Sequence, residues 1–289
     1  MHPPRAIHWA MVTPAQLLLV AFILIPALHV AVLSTTASSY GVAPRFVGLD
    51  NYAAILADPV FWRAMVNTFV VVNVIVYGEL LLGLGLAVLL SGPVPCRALV
   101  FGALLAPYAI TEASVVTMWR FMLEPDVGLI NWALESAGIG QIEWTTERFD
   151  ALMVVALLAI WQHLPFTFLI LHAALATIPV ELAEAAHVDG ATPWQNFTRV
   201  TLPLLMPAIL IALLFRYIFA VRLFSEVWLL TEGGPARLTE VLGVYLYRQA
   251  FRYHEFGMAA ATGWIMLALS LLLALPYLLR LRRGEPGDA

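Results

Sequence analysis

The sequence predicts an all-α integral membrane protein with six transmembrane helices. Three observations predict it. The 289 residues are 62% hydrophobic and only 12% charged, against about 45–50% apolar and about 25% charged in ordinary soluble domains. That surplus cannot be hidden inside a soluble fold of this length, so lipid must solvate much of the surface. The apolar residues also fall into six long runs, each near the roughly 20 residues a helix needs to cross a bilayer, and the runs are separated by polar segments or turns rich in glycine and proline.

The first run, Trp9 to Leu33, exceeds the roughly 7–15-residue core of a secretory signal and reads as a retained helix. A polar loop covers Ser34–Arg63, and the second run is Ala64–Leu90. Ser91–Arg97 (SGPVPCR) is a turn whose glycine and prolines stop one helix and allow the next. The third run is Ala98–Met122, with a kink expected at Pro107. Polar residues follow to Phe149, then the fourth run, Ala151–Thr177, a polar segment Ile178–Pro203, the fifth run Leu204–Leu230, a last loop Thr231–Phe256 and the sixth run Gly257–Leu279. We divide the chain into an N-terminal part, 1–63, and a core of five helices, 64–289, carrying a special loop at 178–203.

Charge narrows the function. Every one of the 15 basic residues is arginine and the net charge is −4, which leaves no basic footprint for nucleic acid. With no lysine, the chain cannot carry a G-x-x-x-x-G-K-[ST] phosphate loop. Cys96 is the only cysteine, so neither an internal disulfide nor a thiolate metal cluster can form; the sequence offers neither an H-E-x-x-H metal pair nor a G-x-S-x-G elbow. We expect no metal site and no catalytic residues. Arginine counts on the two sides are nearly equal, so the positive-inside rule alone does not orient the chain; the Arg280, Arg282 and Arg283 cluster beside the last run mildly favours an inside C-terminus.

The segment Ile178–Pro203 (IPVELAEAAHVDGATPWQNFTRVTLP) encodes two short helices. Val180–Asp189 is rich in helix formers, Pro179 fits a first turn, and Gly190 stands where a helix end wants a left-handed residue. Thr192, Pro193 and Gln195 then form a second start signal with a capping box, for a helix running to about Thr201. Two ordered helices hinged at Gly190 suit a docking surface.

Glu184-Ala185-Ala186, then Gly190, Val200 and Leu202-Pro203, resemble the EAA signature of permeases in the ATP-binding cassette (ABC) importer family, with valine at position 200 where isoleucine is usual. Further stretches agree in order: Phe46–Tyr52 (FVGLDNY), Asn67-Thr68, Trp119 with Pro125, Gly128 and Asn131, Ile160–Phe166 (IWQHLPF), Leu229–Pro235 (LLTEGGP), Tyr245–Phe251 (YLYRQAF) and Gly257. The set is similar to the carbohydrate-importing branch, which handles maltose, trehalose, glycerol phosphate and polyols.

The resemblance implies a type I ABC importer transmembrane domain in the bacterial cytoplasmic membrane, with both termini cytoplasmic. It implies a second homologous permease, two ATP-binding subunits that use ATP and Mg²⁺, and an extracytoplasmic solute-binding protein. It places Glu184, Ala185, Ala186, Asp189, Gly190, Val200 and Pro203 in contact with the ATPase, with Glu184 either ordering the turn as a hydrogen-bond acceptor or pairing with an arginine of the partner. The expected cargo is a sugar or sugar derivative, with an anionic or phosphorylated sugar or polyol as the alternative; a secondary transporter is the reading outside this class.

Charged residues inside a span cost at least about 2.5–3.5 kcal/mol and mark function by default. On that basis Glu79, Glu112, His163, Arg216, Arg222 and Glu226, with Asn73, are candidates for the solute path, and Trp161 or Trp228 could stack on a sugar ring. Arg222 and Glu226, four apart, are expected on one face of a continuous fifth helix.

Overall fold

A computed structural model describes residues 5–283; the outermost ends, which carry the expectation that both termini share one side, lie outside these residues. Helix α1 (Arg5–Leu19) continues through a π turn at Val20–Leu24 into α2 (Ile25–Ser34). A two-residue hairpin follows, β1 (Thr36–Ala37) with β2 (Arg45–Phe46), in which Thr36 pairs with Phe46. Then come α3 (Asp50–Ala57), α4 (Pro59–Leu89), α5 (Arg97–Ala109), α6 (Glu112–Met122), α7 (Leu129–Ser136) and α8 (Arg148–Leu175). The remainder is α9 (Val180–Val188), α10 (Pro193–Asn196), α11 (Leu202–Ala220), α12 (Ser225–Thr231), α13 (Leu242–Tyr247) and α14 (Phe256–Arg283). Among the described residues five helices are long and apolar enough to cross a bilayer, and the bent pair α5–α6 makes a sixth if counted as one span.

Two expected spans are not continuous. The third breaks between α5 and α6 with a bend of 100°. Pro107 lies inside α5, and the break falls beyond it, at Ile110 and Thr111, both in extended backbone. Thr111 followed by Glu112 in the first turn of α6 is a helix start signal that the apolar run conceals. The fifth span ends at Ala220 and restarts at Ser225, so Arg222 lies in the break and Glu226 in the first turn of α12. The two residues therefore do not share a helix face, which corrects the spacing expected of them.

The expected stop before Pro203 is absent, since Pro193–Ala220 runs as one helix. Proline clashes with the carbonyl four residues back, here Arg199. That carbonyl belongs to a π turn at Phe197–Thr201, whose wider winding accommodates the ring.

By internal packing the chain forms two units. The chain up to Phe61 with Tyr245–Leu267 is one; Trp62–Val244 with the chain from Ala268 is the other. In the first, Asn51 Nδ2 donates to the carbonyls of Ser34 (2.8 Å) and Thr36 (2.9 Å), and Tyr245 OH donates to Asp58 Oδ2 (2.9 Å). In the second, Asn67 Nδ2 donates to the carbonyls of Leu238 (2.9 Å) and Glu240 (2.8 Å), and Arg148 donates to Asn67 Oδ1 (2.7 Å). Asn131 likewise holds Leu123 and Ile142 through its amide. These asparagines fix loops to helices by satisfying loop backbone groups. The core of the second unit is a cluster that includes Ile75 of α4, Val115 and Val116 of α6, Val155, Leu158 and Ala159 of α8, and Val227 of α12.

Candidate functional site

Polar residues inside that second unit surround a cavity of about 680 Å³, within the roughly 300–1,000 Å³ typical of small-molecule sites. Its walls come from the ends of α5 and α6 at their break (Tyr108, Ile110, Glu112), from α8 (Ala159, Gln162, His163, Phe166), and from the end of α11, the second break and the start of α12 (Arg216, Phe219, Arg222, Phe224, Ser225, Glu226). Both broken spans thus end at the same space. Irregular backbone within a span survives where protein buries it or where it lines a polar cavity, and both breaks line this one.

The neighbours supply the partners. Gln162 Nε2 donates to the Ile110 carbonyl at 3.3 Å, taking up a group freed by the first break. At the second break α13 comes against the backbone so closely that a Cβ on Gly243 would stand 2.5 Å from the Leu223 carbonyl oxygen. Only glycine fits there.

Of the residues expected on the solute path, Glu112, His163, Arg216, Arg222 and Glu226 line the cavity. Glu79 lies behind it, fully buried. Its Oε1 accepts from Arg216 Nη2 at 2.5 Å, its Oε2 lies 2.5 Å from Arg216 Nε, and Thr167 donates to Oε2 at 3.3 Å. A buried pair with this geometry neutralises Arg216. Next door α4 lies close to α8, so that a Cβ on Gly78 would stand 2.7 Å from the tip of the Ile160 side chain, which would have to turn aside.

Asn73 is also outside the cavity wall, accepting from Tyr217 OH at 2.7 Å while its Nδ2 donates to the Phe69 carbonyl. Trp161 and Trp228 do not line it either: they pack against the core cluster, Trp161 edge-on to Trp119 at 5.7 Å and Trp228 stacked on Phe224 at 6.1 Å. A large ring beside an apolar core gains more by burial than by facing water. The aromatic faces on the wall are Tyr108, Phe166, Phe219 and Phe224. Sequence reasoning missed these, with Gln162 and Ser225, because an aromatic or a neutral amide in an apolar run carries no charge to flag it; Ser225-Glu226 as a helix start was the one usable signal.

The elbow after α8 is built as its sequence requires. Gly190 has φ +78°. Its N–H bonds the His187 carbonyl (3.0 Å), and Ala191 N–H bonds the Ala186 carbonyl (2.9 Å), closing a Schellman motif on α9. The Thr192–Gln195 capping box forms through bonds of 2.9 and 3.3 Å. The turn is therefore satisfied by backbone and capping groups. Among the described residues Glu184 accepts no side-chain hydrogen bond; it is exposed, as are Ala185 and Asp189, while Ala186 is half-buried. Val200 sits half-buried in the π turn, and Pro203 is exposed in the first turn of α11. Val188 and Trp194, flanking the turn, are 86% and 71% exposed, an apolar surface that water does not favour.

Residues 10–282 match the sequence family described as the binding-protein-dependent transport system inner membrane component. Among relatives, the chain is 34% identical to a sulfoquinovosyl glycerol transport system permease of Agrobacterium fabrum, over 97% of this chain and 92% of that one. It is 31% identical to a trehalose/maltose transport system permease of Thermococcus litoralis, over 93% and 92%. The fold is similar to a permease chain in the crystal structure of a bacterial ABC transporter that imports the acidic polysaccharide alginate, with TM-score 0.84, 23% identity and 96% of each chain covered.

Proposed function

Because the chain belongs to the family of inner-membrane components of binding-protein-dependent transport systems, we propose that its cavity is part of the translocation path of an ATP-driven importer for a sugar or sugar derivative. The observation that carries this is the cavity's lining, where charged and amide groups alternate with the aromatic faces of Tyr108, Phe166 and Phe219. A hydroxyl-rich ring offers donors and acceptors at its edge and C–H groups on its faces, and it is matched by such a wall. The relatives' named cargoes, sulfoquinovosyl glycerol and trehalose or maltose, are of that class.

A second reading, an anionic sugar derivative, is favoured by Arg222. It lines the cavity without an ion pair to any described residue, whereas Arg216 is spent on Glu79.

The rest of the machine follows from the elbow. It faces the cytoplasm and docks in an ATPase subunit, and two such subunits hydrolyse ATP with Mg²⁺ outside this chain. A second permease completes the path, a solute-binding protein delivers cargo from outside, and both termini are cytoplasmic. Because Pro193–Ala220 is one helix, a push on Gly190–Thr192 travels along α10 and α11 to the cavity wall at Arg216 and Phe219.

The test is the reconstituted complex with its binding protein, screened for ATP hydrolysis stimulated by neutral sugars, polyols and their anionic derivatives. Stimulation by one carbohydrate class is expected; uptake by this chain alone, driven by a proton gradient, would replace the reading with a secondary transporter. Gly190→Glu forces a side chain into left-handed backbone at a cost of roughly 1–2 kcal/mol and puts a charge on the docking face. It should keep the chain in the membrane while uncoupling hydrolysis from uptake. Gly190→Asn, which tolerates that backbone, should be milder, and equal uptake by all three forms would remove the docking role.

A further inference from the structure

The cavity holds a group of ligands that sugar recognition does not require. Glu112, His163 and Glu226 each offer one ligand atom, and the three atoms lie within 4.8 Å of one another. They come from three different elements: the start of α6 after the first break, the intact α8, and the start of α12 after the second break.

The histidine is arranged as metal-ligating histidines are. Its Nδ1 lies 3.0 Å from the Ala159 carbonyl. A carbonyl can only accept, so Nδ1 carries the proton and Nε2 keeps its lone pair. That Nε2 lies 4.0 Å from Glu112 Oε1, so two acceptors face each other at a separation too long for a direct hydrogen bond. Glu226, 4% exposed, adds a second carboxylate from the opposite wall. Among described residues neither Glu112 nor Glu226 has an arginine within 4.0 Å; Arg216, which lines the same cavity, is paired with Glu79. A further observation is independent of the cluster. Gln162, 3% exposed, has an Oε1 that is buried without any partner in the wall of the same cavity.

The geometry points to a site for one divalent transition-metal cation of the Zn²⁺ class, ligated by Glu112, His163 Nε2 and Glu226, with the Gln162 carbonyl as neighbouring acceptor. Two carboxylates balance the charge of the ion, and an imidazole with carboxylates selects Zn²⁺ and similar ions over Mg²⁺. In such a site the ligand atoms stand roughly 3.3–3.6 Å apart, so binding draws the three side chains slightly together. The cation would clip the free ends of both broken spans onto α8. Its occupancy would oppose any motion of the cavity that parts α6 from α12. This does not depend on the cargo being a sugar.

The test uses the assembled importer, stripped with chelator and titrated calorimetrically with Zn²⁺ and, separately, Mg²⁺. One Zn²⁺ per copy of this chain at micromolar or tighter affinity is expected, with Mg²⁺ at least a hundredfold weaker. His163→Gln and Glu226→Gln should each weaken Zn²⁺ at least tenfold. Glu112 is half-exposed, so Glu112→Gln is the variant that assembles if the buried ones do not, and it should both weaken binding and abolish the rise in melting temperature that Zn²⁺ gives the unaltered complex. Co²⁺ should show visible absorption that is lost in the same variants. No stoichiometric Zn²⁺ binding, equal affinity for Mg²⁺, or unchanged binding in Glu112→Gln each overturns the site.

Discussion

Helices α8 and α11 run on through internal prolines, whereas the α5–α6 and α11–α12 stretches stop inside apolar runs that read as continuous spans. Pro165 sits inside α8 and Pro207 inside α11 without a break. The break after α11 has no proline in it, and the one after α5 lies three residues beyond Pro107. The difference is in the surroundings. A proline removes one backbone bond, which neighbouring turns absorb. A true break frees several groups; at the first Gln162 reaches the Ile110 carbonyl, and at the second Gly243 lets α13 pack against Leu223.

The largest effect is expected at the ion pair behind the cavity. Arg216→Ala leaves Glu79 buried and unpaired, so the complex should lose about 3–5 kcal/mol, as buried pairs do when one partner is removed. Restoring neutrality with Glu79→Gln in the same chain should recover a good part of it in a thermal melt. If the single and double variants melt alike, the pair does not hold α4 to α11.

Next is the contact that props the second break. Gly243→Val puts a Cβ where the Leu223 carbonyl stands, so α13 or the break must shift at a cost of about 1–3 kcal/mol. Stimulated transport should fall with stability, and unchanged melting and uptake would show the break to be held by something else.

Arg222→Ala sharpens the cavity side. Because Arg222 has no ion pair to lose, stability and ATPase assembly should stay intact, while the KM for an anionic cargo rises about tenfold, the size of one charge-assisted bond. Failure of assembly would make Arg222 structural. The smallest effect belongs to the intact span: Pro165→Ala should move stability by no more than about 1 kcal/mol, and a large loss would mean that the proline shapes α8 after all.

The elbow was legible in local sequence because its chemistry is local. Pro179, Gly190 and the Thr192–Gln195 box each act within four residues, and their bonds form as written. Hydropathy located the membrane runs because length and apolar content are properties of local sequence. The cavity was half legible: charge exposed Glu112, His163, Arg216, Arg222 and Glu226, but could not say that Glu79 would turn away to Arg216 or that Trp161 would pack into the core.

By itself, then, the sequence determined that the chain lives in lipid, roughly where it crosses, that it holds no phosphate loop of its own, and that a capped helical elbow follows the fourth span. Only the tertiary structure decided that the third and fifth runs break, and that both broken ends meet α8 around one polar space. A break needs residues distant in the chain to pair with or pack against its backbone, and Gln162, which donates to the Ile110 carbonyl, and Gly243, which lies against Leu223, announce that role only once they arrive.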